Sequence, residues 1–127
     1  SLYPSEPKLR ACTDRWLDWS LSTLQPAEHP VFVSIVRTPP EKRDTQALVA
    51  NLVPLTECWK LLDAHLQGRF HLEGEHFTIA DIVLGAYAKR WFGLEGVERA
   101  PMPSLERWYQ RLTQRAAFRK HIDLPLT

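Results

Sequence analysis

Thr78 and Asp81 stand three residues apart in the run Phe77-Thr78-Ile79-Ala80-Asp81-Ile82, a hydroxyl and a carboxylate that could be read as a catalytic pair. Capping explains the same spacing in full. Thr78 at a helix N-cap can accept from the N–H of Asp81, and the Asp81 carboxylate can reach back to the N–H of Thr78. Asp is a variant of the usual Glu or Gln at that position. Phe77 then sits at N′ and Ile82 at N4, the staple pair that sets the angle at which the chain enters a helix. These four residues are therefore assigned to folding, not to chemistry.

Other constellations are thinner. His29, His65, His71, His76 and His121 show no helical i, i+4 pair, and only His71-x-Glu73-x-Glu75-His76 is dense. That segment lies in a glycine-flanked connector and reads as a solvated loop, so no metal site is expected. Ser20 and Ser22 have no histidine and acid at a recognisable spacing, and no glycine-rich phosphate loop occurs. Cys12 and Cys58 both fall in helical patterns without a CxxC motif, and read as reduced thiols rather than a disulfide. Trp19 and Thr23, at i and i+4, lie off the core stripe of the first helix, as plain surface or as part of a binding wall.

The elements that must carry these residues are all helical. Leu9, Thr13, Trp16, Leu17, Ser20 and Leu24 recur at helical spacing from Pro7 toward Val36, with Pro26 and Pro30 as interruptions. Val31 to Val36 would pass alone for a strand, but no partner strand exists elsewhere to satisfy its backbone. Thr38-Pro39-Pro40-Glu41 reads as a second capping box. The helix it opens runs to about Leu66, with Leu48, Leu52, Leu55, Trp59, Leu62 and Leu66 holding phase across Pro54. A polar connector, Gly68 to His76, precedes a helix from Ile79 to about Trp91 that is apolar almost all round and so belongs at the centre. A helix opening near Pro103 and a short one through Phe118 close the chain. The expected fold is an all-α bundle of about five helices around a buried central helix, one domain over residues 1–127.

Composition narrows the class. The 127 residues are 44% hydrophobic and 24% charged, ordinary for a folded domain, and the net charge is +1. That balance gives no footprint for nucleic acid or an anionic membrane, and the mildly basic last helices read as a solvated face. No apolar run approaches the about 18 residues of a membrane span and no secretory signal is present, so a cytoplasmic location is expected.

Phe77 to Ile82 at the head of a buried helix resembles the C-terminal domain of the glutathione S-transferases, where a Ser/Thr-x-x-Asp capping box opens the central helix. Pro103-Ser104-Leu105-Glu106-Arg107-Trp108-Tyr109 followed by Arg115-Ala116-Ala117-Phe118 is similar to that family's Pro-x-Leu-x-x-Trp…Arg-Pro-Ala ending, with Ala116 where proline is common. Leu2-Tyr3-Pro4 ahead of Trp16-Leu17-Asp18-Trp19 resembles the linker and first C-terminal helix of bacterial members, and Arg37 to Asp44 resembles a segment of one bacterial subgroup.

The resemblance implies a bacterial-type transferase half. Residues 1–6 would be a linker remnant, and a thioredoxin-like N-terminal domain, absent from this chain, would hold glutathione and stabilise its thiolate. Glutathione would be the co-substrate of the full-length enzyme, with no cofactor in this chain. Trp19 and Thr23 on the first helix, and Tyr87, Arg90 and Trp91 at the end of the central helix, would line the cleft for a small electrophile. Arg37 would cap a helix C-terminus or touch glutathione carboxylates. Alone, the chain is expected to be catalytically silent and to self-associate, as a homodimer or more, through the face bearing Trp19 and Trp91. The alternative is a non-catalytic interaction module of the same fold, as attached to translation factors and tRNA synthetases.

Overall fold

A computed structural model describes residues 1–126. Among them there is no strand, and the chain folds into five helical arms. The first arm is continuous from Pro7 to Val36: α1 (Pro7–Trp19), a π-helical stretch (Ser20–Leu24) and α2 (Gln25–Val36). Glu6 starts it, accepting from the N–H groups of Lys8 and Leu9. The π stretch precedes Pro26, so a widened turn absorbs the carbonyls that proline rings would otherwise strike. Val31 to Val36 is helical as expected.

The second expected capping box does not form. Thr38 Oγ1 donates to the Val33 carbonyl, closing the end of α2 instead of opening a helix. Pro40–Lys42 makes one 3-10 turn. Arg43 donates to the carbonyls of Ser34, Ile35 and Thr38, holding this corner on the C-terminus of α2. The long helix α3 (Thr45–Leu66) is capped by Asp44, which accepts from Ala47 N–H at 3.1 Å. It continues through Pro54, and Leu55, Trp59, Leu62 and Leu66 are buried on one stripe.

The connector after α3 is less solvated than its composition suggests. Glu73 is only 7% exposed. It accepts from Trp16 Nε1 at 2.9 Å and is flanked by Arg15, His65 and Arg69 at 3.4 to 3.7 Å. A buried carboxylate needs this company, and it pins the connector to α1 and α3. Gly74, at φ +69°, takes the left-handed turn that this path demands, close against Leu9.

The central helix α4 (Ile79–Gly93) packs on α1 and on α5 (Pro103–Thr113), while α3 packs on α2 and α5. Both arms of the Thr78–Asp81 box are present. Asp81 Oδ2 accepts from Thr78 N–H at 3.0 Å, and Thr78 Oγ1 accepts from Ala80 N–H at 3.2 Å. Asp81 does more than cap. It is fully buried, and its Oδ1 accepts from Leu72 N–H (3.1 Å) and from the Trp108 indole N–H (2.9 Å), tying connector, α4 and α5 together. Of the expected staple pair, Phe77 lines a pocket with Trp108 and Arg115, and Ile82 lines a groove with Tyr87. Gly85 lets α5 and α6 (Ala116–His121) come close, since a Cβ there would meet Leu112 Cδ1 at 2.7 Å.

Two helix ends are satisfied from a distance. Asp63 of α3 accepts from Leu105 N–H at 2.8 Å, doing for α5 what Met102 at its N-cap cannot. Arg99 donates to the carbonyls of Trp91, Leu94 and Val97 and closes α4. Cys12 and Cys58 are both free, and burial pushes the Cys58 thiol up, which leaves it an inert packing residue.

Candidate functional site

The buried side of α4 carries Ala80, Asp81, Leu84, Gly85, Ala88 and Trp91. Its other side is only half-covered. Ile82, Val83, Ala86, Tyr87 and Arg90, neighbours at helical spacing, line an open groove of about 470 Å³. A helix apolar all round thus serves two surfaces, one against the core and one facing outward.

Arg90 forms the polar end of the groove. Its Nη1 donates to both carboxylate oxygens of Glu28, at 3.1 and 3.3 Å, and its guanidinium lies over the Phe32 ring at 4.2 Å. Glu28 is 3% exposed, and burial raises its carboxyl above the ordinary value, with Arg90, His29 and Arg37 pulling the other way. Tyr87 is also pushed up, by burial first and then by Glu28, so its phenol stays a protonated donor at neutral pH. Arg90 is already paired, so the groove is not an anion trap. It offers an apolar wall with one hydroxyl, suited to an uncharged molecule with a hydrogen-bond acceptor.

The remaining expected wall residues are placed elsewhere. Trp91 is 2% exposed and packs 6.1 Å from Trp59, with Arg99 over its ring at 5.3 Å. It continues the buried phase of Leu84 and Ala88, so it is a core residue and not part of a wall. Trp19 is half-buried, edge-on to Trp16 at 5.3 Å, and Thr23 is exposed, its hydroxyl 3.3 Å from that of Ser22. The lining of the α4 groove includes neither. Between them runs the π stretch, whose wider turn breaks the i, i+4 register that the sequence places across Trp19 and Thr23. Arg37 is exposed at the C-cap of α2, with its guanidinium 5.5 Å from the Phe32 ring, on the side where Glu28 and Arg90 meet.

Glu28 and Phe32 hold Arg90 from behind the groove and were not singled out from sequence. The available signal was an acid, Glu28, between Pro26 and Pro30 in a stretch with a buried apolar face. Among the described residues no three His, Cys, Asp or Glu side chains converge to hold a metal ion.

An all-helical bundle opened at its centre by a Thr–Asp box, with one face of that central helix uncovered, defines a recognisable class. The chain belongs to the glutathione S-transferase family: the family model "Glutathione S-transferase, C-terminal domain" matches residues 24–116. It is 36% identical to glutathione S-transferase GstB of Escherichia coli (strain K12) over 126 residues, covering 99% of this chain and 60% of that protein. It therefore spans less than two thirds of that relative's length. Among solved structures it resembles the theta class glutathione S-transferase of Xanthomonas axonopodis pv. citri, with TM-score 0.94 and 37% identity to the apo form over 99% of this chain and 66% of that one. The same enzyme with glutathione bound gives a TM-score of 0.93. Elongation factor 1-gamma of Trypanosoma cruzi is 31% identical over 98 residues, 76% of this chain and 22% of that protein. Among the described residues no helix is long and apolar enough to cross a membrane.

Proposed function

We propose that this chain is the substrate-side domain of a bacterial-type, cytoplasmic glutathione transferase, working beside a thioredoxin-like domain that holds glutathione. The glutathione thiolate would attack an electrophilic carbon, forming a C–S bond as the leaving group departs with its electron pair. Ile82, Val83 and Ala86 would shelter the apolar part of the electrophile, and Tyr87 would donate to its polar atom. The likeness over nearly the whole chain to a transferase structure with glutathione bound carries this reading.

In the full-length protein, Ala86→Trp should fill the groove. Its KM for the electrophile should rise about tenfold, with KM for glutathione little changed. The 127-residue chain alone should show no conjugation, because no residue in the groove activates a thiol. A chain that conjugates at the full-length rate, or an A86W enzyme with unchanged kinetics, would refute the assignment. The match to an elongation factor subunit favours a second reading, a non-catalytic assembly module. Absence of glutathione binding by the full-length protein in calorimetry would favour that one.

The domain also bears surface that suits a homodimer. Val49 and Val53, one turn apart on α3, are each 60% exposed, and Leu21 and Leu61 are likewise open. With Trp91 internal, these residues, together with half-buried Trp19, are the better interface candidates. Light scattering should give twice the monomer mass, and Val53→Glu should lower it. A monomer across a concentration series would exclude the dimer.

A further inference from the structure

The geometry points to a binding site for a small aromatic carboxylate in the pocket between the 68–76 connector and α5, where Arg111 and Arg115 stand over aromatic rings. This pocket, of about 190 Å³, is floored by Trp108 and Leu112 and walled by Phe70 and Phe77. Arg115 lies over the Phe77 ring at 3.7 Å and Arg111 over the Phe70 ring at 4.5 Å. Each guanidinium therefore lies against a phenyl face. His71 stands edge-on to Phe77 at 6.4 Å and adds a further wall.

Three observations favour an anion. No ion pair among the described residues uses Arg111 or Arg115, although both are cationic. Arg111 Nε is buried without a hydrogen-bond partner, while its Nη2 is spent on the carbonyls of Arg69 and Phe70. Buried donors are ordinarily satisfied, so this N–H marks a guanidinium that the domain itself leaves short of acceptors. Finally, burial and the neighbouring Arg107 both disfavour the charge on Arg111, opposed by Asp81 behind the Trp108 indole. The negative charge of a bound carboxylate would offset both.

Size and lining favour an aromatic ligand. Pockets for drug-sized molecules hold about 300–1,000 Å³, so this one suits a single ring. Its apolar surface is aromatic, and a flat ring can meet Phe70, Phe77 or Trp108 by edge or offset stacking. A carboxylate in the plane of that ring can accept from the guanidinium edges.

Benzoate is the probe, with benzamide as its uncharged isostere and inorganic phosphate as an anion without a ring. Titrations would be followed by the arginine Nε–H and tryptophan indole resonances of the protein. Benzoate should shift the Arg115, Arg111 and Trp108 signals with Kd on the order of 1 mM at low salt. Benzamide and phosphate should each bind about tenfold more weakly. Arg115→Gln, at an exposed position that leaves the fold intact, should weaken benzoate about tenfold, and Phe77→Leu should weaken it through loss of the platform. Equal binding of benzamide would refute the charge recognition, and equal binding of phosphate the ring recognition. Unchanged binding in R115Q, or no saturation by about 20 mM benzoate, would overturn the site.

Discussion

Replacing Asp81 by alanine is expected to remove about 4 kcal/mol of folding stability, more than any other single polar truncation in the domain. Its carboxylate is fully buried and accepts from Leu72 N–H, Thr78 N–H and Trp108 Nε1–H. Alanine leaves those donors without an acceptor, at about 1–3 kcal/mol for each group. Loss of a cap alone costs about 0.5–2 kcal/mol, so the excess measures the long-range part. The comparison is with Thr78→Ala, which removes the hydroxyl that accepts from Ala80 N–H and should cost about 1 kcal/mol. Asp81→Asn keeps one carbonyl acceptor and should fall between them. Natural domains hold only about 5–15 kcal/mol in reserve, so D81N is the variant to read if D81A does not accumulate. Urea unfolding of all three at neutral pH gives the order. If Asp81→Ala and Thr78→Ala cost the same, Asp81 is only a cap.

The capping box was legible in sequence because every atom it uses lies within four residues. The other duties of Asp81 were not, because Leu72 and Trp108 reach it only after the connector has folded back and α5 has docked. The same division runs through the chain. Pro54 was correctly kept inside its helix because the apolar stripe continues past it, whereas Pro30, read as an interruption, lies within α2. Thr38-Pro39-Pro40-Glu41 misled because its local pattern is that of a helix start. The Thr38 hydroxyl bonds backward to Val33 and Arg43 fastens the corner to α2, so α3 waits for Asp44. Glu73 sat in a stretch of loop composition, and its burial is made tolerable by the indole of Trp16, distant in sequence, with Arg15, His65 and Arg69 around it. Tyr87 and Arg90, named from sequence through family likeness, both line the α4 groove. Trp91 was misplaced because α4 is apolar on both sides, so hydropathy could not say which side met the core.

Arg90→Met should destabilise the domain by about 2–3 kcal/mol at neutral pH and by much less near pH 4. Removing one partner of a buried ion pair costs about 3–5 kcal/mol because the other charge is left unpaired. The lower figure applies here because the Arg90 side chain is 38% exposed, although that of Glu28 is only 4% exposed. The pH dependence has a definite sign. Burial raises the native carboxyl of Glu28 above its ordinary value of 4.5, so the native state holds more protons than the unfolded chain from there up to the raised value. Stability from this group is therefore full below about pH 4.5 and is lost as pH rises through the native pKa. Arg90 opposes the rise, so R90M should extend the window upward and steepen the loss. Glu28→Gln removes the titration, and in the E28Q/R90M double variant the penalty should become small and independent of pH. Urea unfolding at several pH values from about 4 to 7 distinguishes these cases, and an R90M penalty equal at both ends would show that Arg90 acts by packing on Phe32 alone. Because Arg90 also lines the α4 groove, the same variant in the full-length protein separates two roles. A KM for the electrophile that changes at pH 7 but not near pH 4 would trace to the ionised Glu28. A change at both would trace to the missing guanidinium itself.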